Sequence, residues 1–182
     1  GSVNESDVSG HGSHVAGIAA GDGSANSTIG VFAGVAPGAD LVIVKATRDQ
    51  AGAEFLSTDQ IKALTFIDSV AALLNQPYVA NLSLGGHNGA HDGTSVVERF
   101  IDSLVGAGKP GKVVVTVAGN DGDADIHAAS TFSSSSNVNM SFQVDSYFPQ
   151  SGAGNDMIVL SGWYNGGASI GVTLISPSGT RY

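Results

Sequence analysis

The 182-residue chain has no cysteine. That excludes a disulfide framework and thiol catalysis. Positive charge is scarce: seven Lys and Arg stand against 16 Asp and Glu, for a net charge of −9. Such a surface repels a phosphate backbone, so nucleic acid is not an expected partner. Charged residues make up only 13% of the chain, yet no apolar run approaches the roughly 18 residues of a membrane span, and no membrane partner is expected. A cleavable secretion segment is not visible, and an extracellular chain would begin after one. What the chain has in abundance is glycine, 26 residues, which implies many tight turns and close backbone approaches.

Three stretches organise the first two thirds. Tyr78–Leu84 reads as a strand ending in the glycine turn Gly85-Gly86, while Leu41–Val44 is a continuous apolar run and Val113–Ala118 nearly so. Unbroken runs of this kind read as strands buried on both faces, hence a parallel sheet covered by helices on each side. Between them lie helical patterns. Ser57 to Asn75 places Ile61, Leu64, Ile67, Val70 and Leu74 at three- and four-residue steps, with Ser57 and Gln60 as a capping box and Pro77 as the stop. Ser95 with Glu98 is a second capping box, leading into Val96, Phe100, Ile101 and Leu104, and Gly106 and Gly108 close that helix.

The most informative stretch is Gly10-His11-Gly12-Ser13-His14-Val15-Ala16-Gly17. Val15, Ile18 and Ala19 recur at helical spacing, with Ser9 and Gly10 available as caps. His11 then sits in the first turn, where the positive end of the helix dipole disfavours an added positive charge. A neutral imidazole there suits a general base. A zinc pair from His11 and His14 is the competing chemistry, but no third ligand lies at a familiar spacing downstream. A purely structural histidine is the other alternative.

This stretch resembles the histidine block of the subtilisin-like serine proteases, with Ser13 in place of the usual threonine. Two further blocks appear in the family's order. Asn81-Leu82-Ser83-Leu84-Gly85-Gly86 resembles the segment whose backbone lies along the substrate, and Val117-Ala118-Gly119-Asn120 resembles the segment that carries the oxyanion asparagine. The resemblance covers about residues 7–127 and implies a role for each block. His11 is the general base and Asn120 the oxyanion donor. Ser83, Leu84 and Gly85 form one wall of the substrate cleft, and Gly52 and Ala53 form the other. A peptide would pair with them as an added strand. Gly34-Val35-Ala36-Pro37 also resembles a family block; the loop before it holds a structural calcium in many relatives, which makes Asn26 a candidate ligand. No cofactor is expected for the chemistry.

Two decoys are set aside. Asp7 is too close to His11, and its surroundings too polar, to be the buried triad aspartate; it reads as a loop or helix-entry acid. Ser95 comes after Gly-Thr as the family's nucleophile does, but it precedes the asparagine block and reads as a helix cap. The triad aspartate and serine are therefore expected on missing sequence or another chain, and these 182 residues alone are expected to be inactive.

After Asp123 the texture changes. A Ser-rich linker, 130–136, leads into 138–144, 157–164 and 169–175, where Met140-Phe142-Val144 and Val172-Leu174 alternate. Turns are expected at Asn165-Gly166-Gly167 and Pro177-Ser178-Gly179. The expected organisation is thus an incomplete subtilisin-like α/β domain over 1–127, then part of an antiparallel β-sandwich or jelly-roll insert over 128–182. The function implied is part of a secreted serine endopeptidase acting on polypeptides. Alternatives are a non-catalytic peptide-binding or regulatory relative, or a β-sandwich module that binds carbohydrate or a surface.

Overall fold

The structure is a computed structural model that describes residues 6–25, 31–45, 55–133, 136–149, 151–152 and 156–182. Its elements run α1 (His11–Ala20), α2 (Ser57–Leu74), β1 (Tyr78–Leu82), α3 (Val96–Leu104) and β2 (Lys112–Thr116). The two strands are parallel and in register from Tyr78 opposite Lys112 to Leu82 opposite Thr116. Parallel strands need a crossover, and α3 with its flanking loops supplies it.

Helix positions match the sequence pattern because helices satisfy their own backbones. α2 ends where expected: Asn75 takes the left-handed conformation (φ 53°) and its N–H donates to the Ala71 and Ala72 carbonyls, two residues before Pro77. Its start differs from expectation. Ser57 is already helical, Leu56 is the N-cap, and no side chain caps it. Leu64 and Ala71 are the buried members of its stripe, whereas Leu74 is exposed. The capping box of α3 forms in full. Ser95 N–H donates to Glu98 Oε2 at 2.9 Å, and Glu98 N–H donates to Ser95 Oγ at 3.2 Å.

α2 packs on β1, and α3 packs on α2. Ala80, at the centre of β1, is buried, while Val113 and Val115 of β2 remain about half exposed. The expectation of two fully covered sheet faces is thus corrected: among the described residues the sheet has two strands, and α2 is the helix seated on it. Leu41–Val44 forms no strand either. Leu41 and Ile43 face solvent, Val42 and Val44 are half-buried, and no neighbouring strand among the described residues takes up their hydrogen bonds. Extended apolar backbone becomes a strand only when a second segment pairs with it.

The same reason applies beyond residue 128. Among the described residues there, no strand forms across 138–144, 157–164 or 169–175, and Met140, Phe142, Trp163 and Val172 are exposed. The turns do form. Gly166–Gly167 is a turn, and a small antiparallel hairpin closes around Pro177–Gly179, with Tyr182 N–H donating to Leu174 O at 2.9 Å and Ser176 N–H to Thr180 O at 2.9 Å. Turn chemistry is local, whereas a sandwich core needs partners from distant sequence.

Candidate active site

β1 and β2 deliver the chemistry-bearing loops to a common edge. Ser83-Leu84-Gly85 leaves the C-terminal end of β1, and Gly119-Asn120 leaves that of β2. Ligands of open α/β sheets bind outside this end of the strands. Ladder bonding continues one residue past the strands, with Val117 N–H donating to Leu82 O at 3.3 Å. Asn81 Nδ2 donates to Ser83 Oγ at 2.9 Å, and Ser83 and Leu84 are half-buried. Asn120 is exposed and comes directly after Gly119, whose φ of +92° only glycine adopts without strain.

Gly85 has no internal reason to be glycine. Its φ is not positive, and an added Cβ would make only an ordinary 3.4 Å contact with Val117 Cγ1. Its missing side chain leaves room for something laid over it from outside.

His11 opens α1. The helix N-cap is Gly10, with no side-chain cap of its own. The capping is done from further back, by Asp7. Its Oδ1 accepts from the N–H groups of Ser9 (3.0 Å) and Gly10 (2.8 Å); its Oδ2 accepts from Ser13 N–H (2.7 Å) and Ser13 Oγ–H (2.8 Å). The Ser13 backbone and hydroxyl, then Gly10 and Ser9, hold this carboxyl far below the usual carboxylate range. Asp7 is therefore a helix-entry acid. The hydroxyl common to Ser13 and the threonine it replaces has a job, as donor to Asp7.

At its other end α1 is fastened to 34–36. Val35 N–H donates to Ile18 O (3.0 Å), Ala36 N–H to Ala19 O (2.8 Å) and Gly34 N–H to Gly21 O (2.7 Å). Packing between elements runs β1–β2, α2–α3 and α2–β1; α1 makes no contact of that extent with any of them. The structure thus brings Ser83, Leu84, Gly85 and Asn120 to one sheet end, and holds His11 on a separately anchored helix. Gly52, Ala53 and the calcium candidate Asn26 lie outside the described residues. Among the described residues no three His, Asp or Glu side chains converge on a metal position.

One feature of this edge lay beyond sequence reasoning. His87 Nε2 donates to Asp121 Oδ2 at 2.8 Å, joining the loop after β1 to the loop that holds Asn120. Nothing in the local sequence of either residue signals the other, 34 positions away.

Comparison with known proteins agrees with this layout. The sequence model of the Subtilase family matches residues 2–172. The major intracellular serine protease of Bacillus subtilis is 36% identical over 121 residues, 66% of this chain and 32% of that protein. Subtilisin BL of Lederbergia lenta is 34% identical over 160 residues, 84% of this chain and 51% of its own length. The chain therefore spans between about a third and a half of these two relatives. Among solved structures, that of the Clostridium perfringens CspB protease superposes with a TM-score of 0.59 at 35% identity, over 66% of this chain and 25% of that one. With the histidine, Ser-Leu-Gly and asparagine blocks in order and the last two leaving the same end of paired parallel strands, the chain belongs to the subtilase family of serine proteases.

Proposed function

We propose that this chain is the portion of a subtilisin-like endopeptidase that carries the general base and the oxyanion donor. In this reading His11 takes the proton from a serine, and an aspartate orients the imidazole; both partners come from sequence beyond these 182 residues or from another chain. Asn120 Nδ2 donates to the oxyanion of the tetrahedral intermediate. The substrate backbone pairs along Ser83-Leu84-Gly85, with Gly52 and Ala53 on the opposite wall. The 182 residues alone are inactive, the substrates are polypeptides, and the protein acts outside the cell. Residues 1–127 form the catalytic portion, and 128–182 an inserted unit whose sheet completes only with strands from elsewhere.

The observation that carries this reading is the paired parallel sheet. It sets a bare, side-chain-free Gly85 beside the loop of Asn120, at the end of the strands where α/β enzymes bind ligands. The test is made on the full-length protein. A fluorophosphonate probe labels it covalently, and His11→Ala abolishes labelling. Asn120→Ala lowers kcat by about 10²–10³ with little change in KM, a magnitude taken from subtilisin itself, where the equivalent donor was removed. Folded full-length protein that takes no label and cleaves no peptide would overturn the proposal in favour of a peptide-binding or regulatory relative.

A further inference from the structure

The two strands are tied together again beyond their ladder, by a side-chain bond between the loops that follow them. Every pair from Tyr78–Lys112 to Leu82–Thr116 is separated by 34 positions, and so is the His87–Asp121 pair. Beyond the ladder, the His87–Asp121 bond ties the segment that follows Gly85 and Gly86 to the one that follows Gly119 and Asn120. Between Val117 and Asp121 the second loop contains Gly119 at φ +92° and the exposed Asn120. A glycine in that position is needed for the bend, but it supplies no side chain to hold Asn120 in place. Asp121 is anchored on both sides. Its carbonyl accepts from Ala124 N–H at 3.1 Å, and its carboxylate accepts from His87.

We infer that His87 is a positioning residue for Asn120: through Asp121 it clamps the asparagine loop to the Gly85–Gly86 loop, so that the amide donor and the peptide-binding backbone hold a fixed separation. The inference rests on reading Asn120 as the oxyanion donor. The clamp needs only an Nε2–H, which both the imidazolium and one neutral tautomer provide. An oxyanion donor must be aimed before the charge appears, so looseness at residue 120 lowers kcat and leaves ground-state binding nearly unchanged. Both side chains are more than half exposed, 62% and 51%, so the effect is modest. It amounts to about five-fold, the upper end for an exposed pair.

The test uses the full-length protein and two independent readouts. In His87→Ala, kcat on a peptide substrate falls about five-fold with KM within about two-fold of wild type, and amide exchange across 118–122 quickens by a similar factor. His87→Gln, which keeps an N–H donor at comparable reach, restores most of both. The double variant His87→Ala/Asp121→Ala is no slower than the more affected single variant, because the two residues act as one unit. Unchanged exchange at 118–122 in His87→Ala, multiplicative losses in the double variant, or a rise in KM alone would each overturn the clamp. Should the wild-type protein prove inactive, the protease reading fails by itself, and the exchange arm still decides whether His87 restrains the loop.

Discussion

Asp7 illustrates how one side chain can set up a helix it does not belong to. Four donors converge on its carboxylate, and three of them are backbone or side-chain groups at the mouth of α1, where orphan N–H groups and the helix dipole favour negative charge. Because the folded carboxyl ionises below its ordinary value of 3.8, its contribution is whole above that value and is lost only as pH falls further, through the depressed value. Asp7→Asn is expected to speed amide exchange at Gly10 and Ser13 and, on the proposed reading of His11 as general base, to lower kcat in the full-length protein. The Ser13 amide resonance of wild type should hold its position down through the normal carboxylate range; movement near the ordinary value of 3.8 would contradict this. Tyr78 shows the opposite sign. Burial first, then the hydrogen bond to Asp68 (3.1 Å) and that group's charge, push its phenol up to about 12. A raised acid favours the neutral form in the fold, so its contribution is full below pH 10 and disappears as pH rises through about 12. Ultraviolet titration should show a tyrosine ionising near 12 that vanishes in Tyr78→Phe. In Asp68→Asn it should return only part of the way, since burial is the larger cause.

Among the elements, α1 and the strand pair are held by different means. α1 buries only Ala20, and Ile18 faces solvent, so packing contributes little to it. Its fastening is the backbone bonding to 34–36, and that depends on Gly34. A Cβ at residue 34 would stand 2.6 Å from Ala20 N, 2.7 Å from Gly21 N and 2.8 Å from Gly17 O, all main-chain atoms that cannot swing aside. Gly34→Ala should therefore destabilise the docking of α1 by about 1–3 kcal/mol, the usual range for forcing an extra carbon into a filled space, and thermal unfolding with exchange at 17–21 would register it. Gly38→Ala, where an added Cβ meets nothing within 4 Å, is the matched control and should unfold like wild type. The strand pair is tied to α2 at its starting end by Lys112 Nζ against Asp68 Oδ1 at 2.6 Å, with Tyr78 on the same carboxylate. At the other end His87 and Asp121 close the loops. The helix signals were legible because caps, stops and 3.6-residue stripes are written in neighbouring positions: Ser95 with Glu98, Pro77 after Asn75, Leu64 within the stripe of α2. The strands at 78–82 and 112–116 were legible, but their pairing was not, since nothing local to either states an offset of 34.

Over the whole molecule, covered apolar surface is in short supply. The chain exposes 14,718 Å², whereas a folded monomer of its mass exposes about 8,100 Å². Leu64 is the large side chain that is fully buried among the described residues, while Phe142, Phe148, Met157, Trp163 and Val172 are open. The 182-residue chain expressed alone should bind a hydrophobic dye strongly and unfold over a broad temperature range; a sharp calorimetric transition without dye binding would contradict this. The same shortage explains which expectations succeeded. Sequence by itself determined the three helices, the two paired strands and the turns at 166–167 and 177–179, because each is encoded in neighbouring residues, and it determined the family through three such blocks in order. Only the tertiary structure decided that Leu41–Val44, 138–144 and 157–164 form no strand among the described residues, that 169–175 pairs only at its end with 181–182, that Asp7 rather than Ser9 caps α1, and that His87 meets Asp121. These outcomes depend on which distant segment supplies a hydrogen-bond partner, and an amino-acid sequence carries that information nowhere near the residues that need it.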